Sequence, residues 1–190
     1  GIYLGVSGAQ IQAADALYCG LADWYVDSAK LAALDEGLDH LNFGDQPIKD
    51  LQGLLAKLGS QLLEDAPLAK LRPAIDHFFA LPDLASIIEQ LRAVSIGDSR
   101  PWALATADQL ETRSPLAMAV TLEMLRRGRR LSLEDCFAME LHLDRQWFAH
   151  GDIIEGVRAL IVDKDKQPRW NPPTLAALSR QRVDQFFEGL

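Results

Sequence analysis

Cysteine is scarce in this chain of 190 residues, where only Cys19 and Cys136 occur. Two thiols cannot build a disulfide framework, and the reading is a reducing compartment. Long apolar runs are missing as well. No stretch approaches the roughly 18 residues a membrane-spanning helix needs. Positive charge is in short supply: 19 Lys and Arg face 27 Asp and Glu, a net charge of −8. Such a chain is a poor candidate for tracking phosphate backbones, so nucleic acid is not an expected partner. Paired-cysteine motifs are absent. His40, His77, His142 and His150 are scattered rather than set at ligand spacing, so no metal is expected. Alternating apolar and polar stretches that would build sheets are lacking too.

What is present is a 48% apolar composition, too rich for a disordered chain. Helix punctuation runs nearly throughout. The opening Gly1-Ile2-Tyr3-Leu4 has no Met and no signal-peptide character, and reads as the second half of a helix. The expectation is a piece of a longer protein. Ala13 to Cys19 reads as a short helix closed by Gly20, and Leu21 to Val26 as a short extended piece. Ser28 is the expected N-cap of a helix carrying Leu31, Leu34, Leu38 and Leu41. Pro47 opens a helix with Ile48, Leu51, Leu55 and Leu58 on one face and Gly59 as its stop.

Pro73 is expected to open a helix with Ile75, Phe78 and Phe79. Asp83 caps another, and Ser99 with Pro101 starts a third. Ser114-Pro115 is a strong start signal, a hydroxyl cap followed by proline at the first helical position, for a helix running to Gly128. Ser132-Leu133-Glu134-Asp135 reads as a capping box, followed by Leu133, Phe137, Leu141 and Phe148 with Cys136, Leu143 and Trp147 alongside. Gly151 breaks that helix. Asp152 and Glu155 restart it as a second box, with Val157, Leu160 and Ile161 expected to be buried. Asp163 to Arg169 is a charged loop, and Trp170-Asn171-Pro172-Pro173 cannot be helical. Thr174 and Ser179 cap the closing helices, which hold Leu178, Val183, Phe186 and Phe187. The sum is a mainly α chain of eight to ten helices.

Few residues suggest chemistry of their own. Gly5-Val6-Ser7-Gly8-Ala9 resembles a serine-hydrolase elbow, but Ala9 stands where the elbow needs glycine and no sheet surrounds it; a turn at Gly8 is the expected reading. Cys136 lies in a first helical turn, a position that slightly favours a reactive thiol, yet cysteine is also a common small core residue. Asp152 and Glu155 are the best carboxylate pair for acid–base work, with capping as the stronger reading. Arg126-Arg127-Gly128-Arg129-Arg130 reverses the overall charge. Four guanidiniums there suit either phosphate groups of a nucleotide-like ligand or a helix C-terminus complementing its dipole. Arg158, Lys164, Lys166 and Arg169 form a second basic group with Asp163 and Asp165 among them.

One further signal is a resemblance. The run from Gly8-Ala9-Gln10-Ile11 through Gly20-Leu21-Ala22-Asp23 resembles a stretch of the crotonase, or enoyl-CoA hydratase/isomerase, superfamily, with Ser7 where threonine is usual. Ser114-Pro115-Leu116-Ala117, Leu133-Glu134-Asp135 and Asp152-Ile153-Ile154-Glu155-Gly156-Val157-Arg158-Ala159 resemble its 3-hydroxyisobutyryl-CoA hydrolase branch, as does the closing Pro168-Arg169-Trp170-Asn171-Pro172. The resemblance implies the helical C-terminal portion of a crotonase-like α/β protein, with at most a short strand near Leu21 to Val26. It divides the chain into residues 1–27 as the tail of the core, 28–113 as a helical insertion and 114–190 as a C-terminal helical region. The parent would hydrolyse a CoA thioester as in valine breakdown, with acyl-CoA as substrate and no cofactor. None of the family's acidic catalytic segments is matched, so no catalytic residue carries over and the chain alone is expected to be inactive. The resemblance assigns CoA phosphate contacts to Arg158, Lys164 and Lys166. It also implies packing on an N-terminal core or, without one, self-association. A hydratase or isomerase parent and a stand-alone helical interaction module are the alternatives.

Overall fold

The computed structural model describes residues 1–190. Eleven α-helices follow in chain order: α1 (Ile2–Ser7), α2 (Ala13–Tyr18), α3 (Leu31–Asp39), α4 (Pro47–Leu58), α5 (Pro67–Phe78), α6 (Leu84–Ala93), α7 (Arg100–Glu111), α8 (Pro115–Gly128), α9 (Leu133–His150), α10 (Ile153–Val157) and α11 (Arg180–Asp184). The only sheet is an antiparallel pair of two-residue strands, β1 (Tyr25–Val26) and β2 (Gly59–Ser60), with Tyr25 opposite Ser60. The chain is therefore mainly α, as its periodicity predicts, with one more helix than the expected upper count.

Most expected boundaries hold because local chemistry sets them. Asp83 accepts from the Ser86 amide, Ser114 from Ala117, Ser132 from Asp135 and Ser179 from Arg182, each satisfying a donor that the first helical turn leaves open. Two starts differ. Asp27, not Ser28, caps the segment before α3, by accepting from the Ala29 amide. Pro73 lies inside α5, which begins at Pro67. The missing N–H at Pro73 costs one helical bond without stopping the helix. Asp15 supports the earlier start, since its buried carboxylate accepts from the Leu68 amide at 2.8 Å.

The chain forms two compact units, residues Gly1–Ala9 with Ala74–Leu190, and residues Gln10–Pro73. In the larger unit α1 packs on α7 and α8, α6 on α7, and α11 on α8. One buried cluster joins Leu116 and Val120 of α8, Met139 and Leu143 of α9, and Val183, Phe186 and Phe187 at the C-terminal end. Another part of its core holds Ile87 and Leu91 of α6 with Ala103, Ala107 and Leu110 of α7. Tyr3 of α1 meets Phe79 and Trp102 edge-on, with centroids 5.1 and 5.7 Å apart.

The unit of residues Gln10–Pro73 is thinly packed. Only Asp15 and Leu68 are buried in it, and Ile48 at the start of α4 is 72% exposed rather than inward as its spacing suggests. Gly37 eases the close approach of helices α3 and α4: a Cβ there would lie 2.6 Å from Leu54 Cδ1. Few buried apolar contacts mean low local stability. Amide hydrogen exchange by mass spectrometry should show residues 31–58 exchanging at least tenfold faster than residues 103–122. Equal protection would refute this.

Helix α9 differs most from expectation. Leu133, Phe137, Leu141 and Phe148 are 73, 62, 55 and 67% exposed, whereas Met139 and Leu143 are buried and Trp147 packs beside them. The helix has apolar residues on two faces, and the core takes the one that meets Phe186. Val157, Leu160 and Ile161 are likewise exposed instead of buried, with Ala159 the buried member of that segment. Arg158–Val162 forms a π-helical turn, which rotates Leu160 and Ile161 off the expected face.

Candidate functional site

Those exposed residues line a groove of about 840 Å³ within the larger unit. Its floor begins at the end of α1. Gly8 adopts a left-handed φ of 63° and donates to the Leu4 carbonyl, which ends the helix. Ser7 is fully buried; its hydroxyl donates to the Tyr3 carbonyl at 2.6 Å and accepts from the Ala9 amide at 3.1 Å. That serine is a turn residue with both hydroxyl roles filled. Its carbonyl accepts from Gln109 Nε2 and Arg113 Nε, which tie α7 and the turn after it to α1.

A buried latch forms the next wall. Ser114 Oγ caps α8 and donates to Asp152 Oδ2 at 2.6 Å; Asp152 Oδ1 accepts from the Asn171 amide at 3.1 Å. Asp152 is 8% exposed. The Trp170 indole N–H donates to the Thr112 carbonyl at 2.9 Å. The Trp170 ring lies against α10 at Gly156, where an added Cβ would meet it at an ordinary contact distance of 3.6 Å. The segment around Trp170 is thus strapped to the starts of both α8 and α10. The expected second capping box is not made: Asp152 forms no side-chain bond to the first turn of α10, because its oxygens go to Ser114 and Asn171.

Glu155 points elsewhere. It accepts from Arg158 Nε and Nη2 at 2.9 and 2.7 Å and from the Arg169 amide at 2.6 Å. Arg158 Nη1 also reaches Asp163 at 2.6 Å and Asp165 at 2.7 Å, and Nη2 donates to the Gln167 carbonyl. Asp152 and Glu155 therefore have separate partners and do not form an acid–base pair. The Arg158 guanidinium and the Arg169 amide hold the Glu155 carboxyl down at about 2, while its carboxylates push Arg158 up. Hydrogen bonds from Arg158 and the Gln167 amide lower Asp165. Because the folded value of Glu155 lies below its ordinary 4.5, the support it gives the loop is complete above about pH 4.5 and fades as pH falls toward 2. An NMR titration of the Glu155 side chain should find a midpoint near 2. A midpoint at the ordinary carboxylate value would show the network unformed in solution.

Of the three cations singled out in the sequence, Arg158 is enclosed by carboxylates, and Lys164 and Lys166 are exposed on the same loop. Both lysines have left-handed backbones, with φ of 56° and 55°. Lys166 lines the groove and its amide donates to the Ala159 carbonyl. The remaining wall is apolar: Val6, Met118, Trp147, Val157, Leu160 and Ile161. Sequence reasoning did not find Arg113, which brings a second cation to the groove beside Lys166; its place directly before the Ser114 cap was the available signal. An apolar trough with cations at its edge suits a ligand with an apolar body and an anionic end.

Other candidates have structural partners. Cys136 Sγ lies 3.7 Å from the Gly128 carbonyl, Cys19 is exposed, His142 Nε2 faces the Phe186 carbonyl at 3.1 Å and His40 Nδ1 faces that of Glu36.

Known proteins share this mainly helical fold. The profile of the enoyl-CoA hydratase/isomerase family matches residues 1–187. The chain belongs to that family. It is 33% identical to a mitochondrial 3-hydroxyisobutyryl-CoA hydrolase of Danio rerio, an alignment covering 100% of this chain and 49% of the relative. It is 31% identical to the small ribosomal subunit protein mS47 of Arabidopsis thaliana, over 98% of this chain and 46% of that one. Among solved structures, a carnitinyl-CoA dehydratase from Mycobacterium thermoresistibile superposes with a TM-score of 0.83 at 32% identity, covering 100% of this chain and 51% of the other. The chain spans about half the length of the relatives it matches.

Proposed function

We propose that this chain is the C-terminal helical part of a CoA-thioester hydrolase acting on a short branched 3-hydroxyacyl-CoA, and that it closes one side of the acyl-CoA pocket. The observation that carries the reading is the groove itself, whose apolar wall of Val157, Leu160 and Ile161 is open although the surrounding helices are well packed. The likeness to 3-hydroxyisobutyryl-CoA hydrolases supports the chemistry. An N-terminal core carrying the thioester-binding and catalytic groups covers this wall and the outer face of α9. The same faces drive self-association when that core is missing. Lys164 and Lys166 meet CoA phosphates, and Arg158 contributes by gathering the loop that presents them. The site of action is the mitochondrial matrix in a eukaryotic source and the cytoplasm otherwise.

The test is release of free CoA from 3-hydroxyisobutyryl-CoA, followed by thiol titration. The parent protein should release it, and this chain alone should not exceed buffer. Hydration of crotonyl-CoA by the parent without thiol release would instead favour the hydratase reading, which the structural likeness to a dehydratase and an enoyl-CoA hydratase supports. Absence of both activities in the parent would favour a non-catalytic module, a reading supported by the ribosomal relative.

A further inference from the structure

A second concavity of about 910 Å³ shares no residue with the groove and is lined by Arg126, Arg127, Arg129 and Arg130. None of these arginine side chains caps the end of α8 by a hydrogen bond. The Arg127 and Gly128 carbonyls are satisfied by the amides of Arg130 and Leu131, and Gly128 also by Cys136 Sγ. None of the four guanidiniums bonds to them. Arg126 donates instead to the Pro82 and Leu81 carbonyls, at 2.6 and 2.9 Å. Arg127 pairs with Glu123 at 2.8 Å and lies 4.0 Å over the Phe187 ring. Those two are half-buried and fixed. Arg129 and Arg130 are exposed, and their side chains have no hydrogen bond or ion pair. The lining carboxylate, Asp135, accepts from the Ser132 hydroxyl at 2.7 Å. Beside the two uncommitted cations the concavity carries Leu131, Ala138, the buried Met139 and the exposed Leu190. In a chain of net charge −8, two unpaired guanidiniums beside two anchored ones form a local demand for an anion.

We propose that this concavity binds an organic diphosphate, with its phosphates on Arg129 and Arg130 and its apolar or ring portion against Leu131 and Met139. Adjacent guanidiniums can each take a phosphate through two parallel N–H···O bonds, a geometry lysine cannot supply. Arg126 and Arg127 keep the concavity open and positive. The proposal does not depend on the thioester reading, since it uses other residues and another cavity.

The test is isothermal titration of the 190-residue chain at low salt with inorganic pyrophosphate and with ADP. Both should bind, ADP at least threefold more tightly because its nucleoside rests on the apolar floor, and affinity should fall as salt rises. The double variant R129Q/R130Q should weaken ADP binding tenfold or more. Its circular dichroism should be unchanged, since neither side chain has a partner to lose. Equal affinity for pyrophosphate and ADP would overturn the organic part of the assignment. No binding of either probe, or unchanged binding by R129Q/R130Q, would overturn the site.

Discussion

Replacing Phe186 with alanine should destabilise the chain by about 3–5 kcal/mol, the range for deleting a fully buried aromatic ring. Phe186 is 1% exposed and sits where α8, α9 and α11 meet, with the Trp147 ring 4.6 Å away between centroids. Its neighbours Leu116, Val120 and Leu143 are held in helices, so the space cannot collapse cheaply and a cavity term adds to the lost transfer energy. That is a large part of a stability that for domains totals about 5–15 kcal/mol. Urea unfolding followed by circular dichroism measures it. Phe187→Ala is the internal comparison and should cost less, because that ring is 6% exposed and its Arg127 neighbour can reach water. A loss below about 1.5 kcal/mol for Phe186→Ala would mean this cluster is not the core in solution.

Asp152→Ala should rank next, at about 2–4 kcal/mol, since hydrogen bonds to a charged group are stronger than neutral ones and their buried partners are left unpaired. The substitution strands the Ser114 hydroxyl and the Asn171 amide together. Asp152→Asn should cost less, because one amide oxygen can still accept from Ser114. Ser114→Ala removes the cap of α8 as well as the latch. The double-mutant cycle between Ser114 and Asp152 should therefore show a coupling of about 1 kcal/mol or more. Near-ultraviolet circular dichroism should report loosening at Trp170 while the far-ultraviolet helix signal persists. Additive effects at the two positions would show that the latch is not a unit.

Self-complementary local signals were legible. Ser114-Pro115, Ser132 with Asp135, Asp83 and Pro47 with Gly59 each place a helix end within a few residues, because a cap and the amide it serves are neighbours in sequence. The break at Trp170-Asn171-Pro172-Pro173 was legible for the same reason. The groove was not. Ser114 and Asp152 are 38 positions apart, and Trp170 meets the Thr112 carbonyl across 58. Nothing in local spacing connects them. The resemblance assigned Arg158 to CoA phosphates, and its side-chain bonds to Asp163 and Asp165 were not legible because they require the loop to fold back upon it.

Helix α9 shows the boundary most clearly. Its composition determines an amphipathic helix with a capped start, since capping and propensity act within a turn or two. Two faces compete for burial, Leu133-Phe137-Leu141-Phe148 and Met139-Leu143-Trp147, and both follow helical spacing. Only tertiary structure decided between them: Phe186 and Val120 meet the second, and the first remains open to solvent. By itself the sequence determined the mainly helical character, the positions of most helix ends and the family resemblance. The buried latch, the paired state of Arg158 and the isolation of Arg129 and Arg130 depend on contacts between distant segments. Hydrophobic burial favours any matching apolar face, and packing of the whole unit selects which one is used.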